Sequence, residues 1–139
     1  MELLLLRAAI LLGGCVPVVA GGAGLLTGLG MVGEAGANID ADSHFRYVSG
    51  LLLAIGFGFW SCIPNLRRRA PRMRLLTALV VLGGLGRLLG VVLHGWPDGP
   101  MRFGLGMELV VTPLLCLWQH RVARQDSGAA LGRLSNQAA

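Results

Sequence analysis

The sequence predicts an all-α membrane protein, a bundle of four transmembrane helices in up-down-up-down order with both termini in the cytoplasm. Three observations carry this. The chain is 54% hydrophobic and 14% charged, and its mean hydropathy of +0.66 exceeds that of an ordinary soluble domain. Its apolar residues fall into four runs, each near the ~20 residues a helix needs to cross a bilayer. Between the second and third runs, one short connection holds Arg67, Arg68, Arg69, Arg72 and Arg74, and such a cluster marks a cytoplasmic loop. Four spans and short loops use up the 139 residues. The expected organisation is one transmembrane domain at 1–124, with spans near 3–30, 45–63, 73–93 and 101–118, and a polar tail at 125–139.

The first run is nearly charge-free after Arg7. A secretory signal has a basic start and a short apolar core. Here Glu2 and four leucines precede Arg7 and the apolar run continues past Cys15, so an uncleaved span is expected. It contains Gly13, Gly14, Gly21, Gly22, Gly24 and Gly28. Glycine lets helices in lipid approach closely, and Gly24-x-x-x-Gly28 reads as a packing face. Pro17 must kink the helix or leave a carbonyl for another donor. The loop at 31–44 is acidic, with Glu34, Asp40 and Asp42, and Asp42 or Ser43 is suited to cap the next helix.

The second run, FRYVSGLLLAIGFGFWSCI, has Arg46 and Tyr47 at its entrance and Trp60 near its exit, where an amphipathic ring suits the bilayer interface. The third, MRLLTALVVLGGLGRLLGVVL, contains Arg87. A lone charge at that depth costs roughly 2.5–3.5 kcal/mol on insertion scales. The turn HGWPDGP follows, and then the fourth run, MRFGLGMELVVTPLLCLW, with Glu108 and Pro113.

Counting gives Arg87 a partner. It lies seven residues before His94, and Glu108 lies eight after Pro100. At 1.5 Å per residue both are about 10–12 Å from the connecting turn. Opposite charges at matching depth on adjacent helices are what a buried pair requires, so a buried Arg87–Glu108 ion pair is expected. Arg46 is positioned to reach Glu108 or Asp42. The half of the bundle away from the arginine loop then gathers Arg46, Tyr47, Ser49, Arg87, His94 and Glu108 as a candidate polar pocket. With two arginines and one carboxylate, that pocket favours a small anionic molecule or lipid head group.

Other chemistry finds little footing. His44, His94 and His120 are too scattered for a metal site, and Cys15, Cys62 and Cys116 form neither C-x-x-C nor a disulfide framework. Ser49, Ser61 and Thr112 have no evident base, and no phosphate-loop motif is present. No catalytic residue, cofactor or metal is expected, and the protein is expected not to be an enzyme. The net charge is +5, entirely from arginine on the basic side. Because the arginines flank apolar spans, their expected partner is the bilayer, with anionic lipids at Arg67–Arg74, and not nucleic acid.

Several stretches together resemble a known family. They are Phe45-Arg46-Tyr47-Val48-Ser49-Gly50, then Gly86-Arg87-Leu88-Leu89-Gly90 leading to His94-Gly95-Trp96-Pro97, and Glu108 on the last helix. This set resembles the bacterial four-helix membrane proteins catalogued as domain of unknown function 4345, over roughly residues 1–124. The resemblance implies the four-helix fold and a polar set at Arg46, Arg87 and Glu108. The chain departs from the family at His94, where an acid is more usual. No activity comes with the family.

The expected role is therefore that of a multi-pass inner-membrane protein. It binds a small molecule or head group in the outer-half pocket or serves as an accessory subunit, with Arg87–Glu108 setting helix register in either case. The alternative is a small oligomeric transporter or channel subunit that uses Glu108 as a proton- or cation-responsive carboxylate. A homo-oligomer would form through the glycine faces.

Overall fold

A computed structural model describes residues 1–34, 36 and 38–137, with side chains as far as Arg124. Five α-helices build four spans. Helix α1, Glu2–Thr27, passes through Pro17 and ends in a 3₁₀ turn, Gly28–Val32. Helix α2, Ile39–Cys62, is followed by the short 3₁₀ turn Ile63–Asn65. Helix α3 is Ala70–His94. The fourth span joins α4, Gly99–Gly106, through a π-helical turn, Met107–Val111, to α5, Thr112–Gln137. All four segments are long and apolar enough to cross a membrane, and the described residues contain no strand. The side chains of the expected polar tail at 125–139 lie outside the described residues.

Helix α2 begins six residues before the expected span. Asn38 is its N-cap and accepts from the Ala41 amide at 3.0 Å. Asp40 and Asp42 then occupy the first turn, where negative charge suits the helix dipole. Asp42 is thereby released for another task.

The helices form a closed ring of neighbours in which α1 and α2 share the most extensive contact. Glycine explains that seam. A Cβ at Gly21 would stand 2.5 Å from the Leu53 amide nitrogen and 2.7 Å from the Ser49 carbonyl oxygen, so the two backbones nearly touch. Gly14 makes room for the Trp60 indole, whose N–H donates to the Leu11 carbonyl at 3.0 Å. Trp60 therefore ties α2 to α1. The Gly24 and Gly28 face is covered by Ser49, Asp42 and Arg46 of the same chain.

A core of Leu6, Ile10, Phe59, Cys62, Leu66, Met73 and Val122 fills the end of the bundle near the arginine loop. Outward-facing leucines and valines are broadly exposed along the helices, as lipid-facing surfaces require. Away from the core the ring is less completely filled, and there the polar residues lie.

Candidate functional site

The site is built on α3 and the fourth span, and two local features shape it. The first is the Thr112-Pro113 pair. Proline has no amide hydrogen and its ring disfavours the regular helical ladder behind it. The chain widens into the π turn instead. The Thr112 amide bonds to the Met107 carbonyl, and the Thr112 hydroxyl donates to the same oxygen at 2.8 Å. Such widened turns recur at functional sites, and this one contains Glu108.

The second feature is Gly84, which is buried where α3 meets the π turn. A Cβ there would lie 2.7 Å from Leu109 Cδ2 and 3.0 Å from Glu108 Cβ. Glycine thus lets the fourth span approach α3 closely enough to set Glu108 one turn from Arg87. Arg87 Nε lies 3.1 Å from Glu108 Oε1. Arg87 Nη1 donates to Met101 Sδ at 2.9 Å, from the first turn of α4.

The expectation of a buried ion pair is corrected by the exposure of its cation. The Arg87 side chain is 39% exposed and the Glu108 side chain 15%. Glu108, Met101 and Gly104 lie against the guanidinium, while Gly83, Gly86 and Gly90 of the same helix face open space, so the cation is covered only in part. Glu108, pressed against Gly84, is the better sheltered partner. Its second oxygen, Oε2, is buried and has no hydrogen-bond partner among the described residues. An unpaired buried acceptor costs about 1–3 kcal/mol, and native structures leave few of them.

Two cavities border Arg87. One, of about 100 Å³, has mostly apolar walls, including Ile10, Pro17, Ala20 and Leu52, and is edged by Arg87, Glu108 and Thr112. The other is a groove of about 430 Å³ at the turn, with Arg87, His94, Trp96 and Met101 among its walls. Arg87 lines both.

The six residues expected in one pocket are thus divided. Arg87 and Glu108 border the apolar cavity, and His94 joins Arg87 in the groove. Arg46, Tyr47 and Ser49 line neither. Arg46 is occupied at the end of α1. Its Nε donates to Asp42 Oδ2 at 2.7 Å, and its Nη1 to the carbonyls of Leu25 and Leu26 at 2.8 and 2.9 Å. Asp42 Oδ1 accepts from the Leu29 amide at 2.7 Å. The pair satisfies backbone groups left open where a helix stops, with the cation at the negative end of the dipole. Tyr47 is 64% exposed, with its ring 6.4 Å from that of His44. Ser49 is buried against Gly24 in the α1–α2 seam.

The electrostatic expectation changes accordingly. Without Arg46, the charged groups edging the apolar cavity among the described residues are one arginine and one glutamate, formally neutral. What is left unsatisfied is an acceptor, Glu108 Oε2. No group of three or more potential metal ligands occurs among the described residues. The π turn escaped the sequence reading, although Thr112-Pro113 inside an apolar run was its signal.

Comparison with known proteins finds a match over residues 5–119 to a family described as "Domain of unknown function (DUF4345)". No curated protein matches the chain, and no solved structure does.

Proposed function

We propose, from the premise that this chain belongs to the family described as Domain of unknown function (DUF4345), that it is a multi-pass membrane protein that binds a small apolar molecule carrying a hydrogen-bond donor. The observation that carries the reading is Glu108 Oε2, a buried acceptor without a partner on the edge of an apolar cavity. A hydroxyl or amine on the guest satisfies that oxygen, while the apolar walls take its body. A partly open cavity of about 100 Å³ takes a short alkyl segment or part of a small ring, since dry apolar cavities of about 150 Å³ hold a whole benzene. The groove at His94 and Trp96 provides the mouth, and Arg87, common to both spaces, stands between them. The arginine loop faces the cytoplasm in this reading, which opens the groove to the outer side of an inner membrane. The role is binding without catalysis.

A second reading, an oligomeric transporter or channel subunit, draws on the same position of Arg87 on the walls of two spaces. The uncovered glycines Gly83, Gly86 and Gly90 offer a second copy a close approach. In this reading Glu108 is the responsive carboxylate.

The binding reading is tested by thermal unfolding in an uncharged detergent with benzyl alcohol or toluene, probes of similar body that differ in the donor. Benzyl alcohol is expected to raise the unfolding temperature of the wild type more than toluene does. That advantage is expected to shrink in Glu108→Gln, whose amide no longer offers a carboxylate acceptor. Equal effects of both probes on the wild type would remove Glu108 from the reading. A monomer with no proton-coupled uptake in proteoliposomes would end the transport alternative.

A further inference from the structure

The arginine-loop end of the bundle contains a separate cavity, of about 100 Å³, between the start of α1, the turn after α2 and α5. Its polar walls among the described residues are Arg7, Asn65, Arg67 and Gln119. Gln119 is only 1% exposed. Its Nε2–H donates to the Leu66 carbonyl at 2.7 Å, which fixes the amide so that Oε1 is the acceptor. That oxygen is buried and has no partner, and so is Arg7 Nε, a donor. One cavity is therefore lined by a buried donor and a buried acceptor that nothing in the described chain satisfies. Each carries the penalty of a desolvated polar group left unpaired.

A guest that answers both must present an acceptor to Arg7 and a donor to Gln119. The unpaired Nε–H belongs to a guanidinium, that of Arg7, which favours a negative charge on the acceptor side. The arginine cluster beside the cavity is where a bilayer presents its anionic head groups. We infer that this cavity seats the head group of an anionic, hydroxyl-bearing phospholipid. A phosphate oxygen accepts from Arg7 Nε–H, and a head-group hydroxyl donates to Gln119 Oε1. The bound lipid then ties the start of α1 to α5 through two groups that are otherwise orphaned. This site is distinct from the Glu108 cavity, with which it shares no lining residue.

The test is native mass spectrometry of the full chain in an uncharged detergent, titrated with phosphatidylglycerol, phosphatidylcholine or soluble glycerol 3-phosphate. The wild type is expected to retain one phosphatidylglycerol, saturably and about tenfold more tightly than phosphatidylcholine, which offers Arg7 the same phosphate but lacks the hydroxyl that bonds to Gln119. Arg7→Gln is expected to lose about that factor. Arg74→Gln, in the same basic segment but off the cavity, is expected to retain it. Gln119→Met, which removes the acceptor at similar volume, is measured in parallel so that a folding failure of one variant leaves the other. Equal affinity for the two lipids, or equal losses in Arg7→Gln and Arg74→Gln, would reduce the contact to diffuse charge and overturn the site. Displacement of the lipid by an equal concentration of glycerol 3-phosphate would assign the cavity to a soluble phosphate and overturn the lipid assignment.

Discussion

Gly84 and Gly86 are two residues apart on the same helix, yet the structure assigns opposite consequences to placing a methyl group on each. A Cβ at Gly84 would stand 3.0 Å from Glu108 Cβ, where ordinary contact begins near 3.4 Å, and 2.7 Å from Leu109 Cδ2. Leu109 can rotate its tip away. Glu108 Cβ is tied to the backbone, so the fourth span must retreat by about 0.4 Å. Overpacking of this kind typically costs about 1–3 kcal/mol. At Gly86 nothing lies within 4 Å, and the exchange carries only the helix-propensity gain of up to about 1 kcal/mol. That gain is common to both positions, so the difference between Gly84→Ala and Gly86→Ala isolates the helix contact. It is expected to be about 1–3 kcal/mol, or roughly 4–10 °C in unfolding temperature for a chain of this size. Thermal unfolding in detergent micelles, followed by helical circular dichroism, measures it. The same retreat stretches the 3.1 Å Arg87–Glu108 contact toward the limit of a hydrogen bond. If Gly84→Ala proves as stable as Gly86→Ala, the close approach of α3 to the π turn is refuted, and with it the account of how Glu108 is positioned.

Other outcomes follow from the same geometry. In a double-mutant cycle, Arg87→Met and Glu108→Gln are expected to couple by about 0.5–2 kcal/mol, the double variant losing less than the two single losses added; zero coupling in denaturation curves would show that the 3.1 Å contact is energetically empty. Pro113→Ala is expected to let the regular helical ladder close and to abolish the π turn, which backbone carbon chemical shifts of residues 107–111 report; unchanged shifts would mean that Pro113 is not its cause. Gly28 has φ 59° and ψ −143°, a region open essentially to glycine alone, and any Cβ there would collide with Asp42. Gly28→Ala is expected to cost at least about 2 kcal/mol, and a neutral result in thermal unfolding would refute the tight closure of α1 by Asp42 and Arg46.

The matching depth of Arg87 and Glu108 was legible because helical rise is constant and the connecting turn is short. Gly24 and Gly28 were legible as a packing face for a similar reason, since residues four apart recur on one side of an α-helix, whereas the still closer approach at Gly21 was not singled out. Arg46 was not decided by counting. It had two candidate acids, and Asp42 wins because it lies four residues away on the same helix while the open carbonyls of Leu25 and Leu26 add further acceptors. Exposure of the ion pair was hidden as well. Hydropathy does not distinguish a glycine that faces a neighbour, such as Gly84, from glycines that face open space, such as Gly83, Gly86 and Gly90. The cap of α2 was expected at Asp42 or Ser43, four or five residues too late, because the acidic stretch was read as loop; Asn38 caps it instead and draws that stretch into the helix.

The central claim is that the space beside Glu108 holds a guest. Its most direct test is native mass spectrometry of the protein released from its own membrane, comparing the wild type with Ala20→Leu, which fills the apolar wall of that cavity, and with Arg7→Gln, which leaves it untouched. The account predicts a small-molecule mass retained one-to-one by the wild type and by Arg7→Gln, and lost in a folded Ala20→Leu. No such mass on the wild type, or its undiminished retention in Ala20→Leu, would contradict the account.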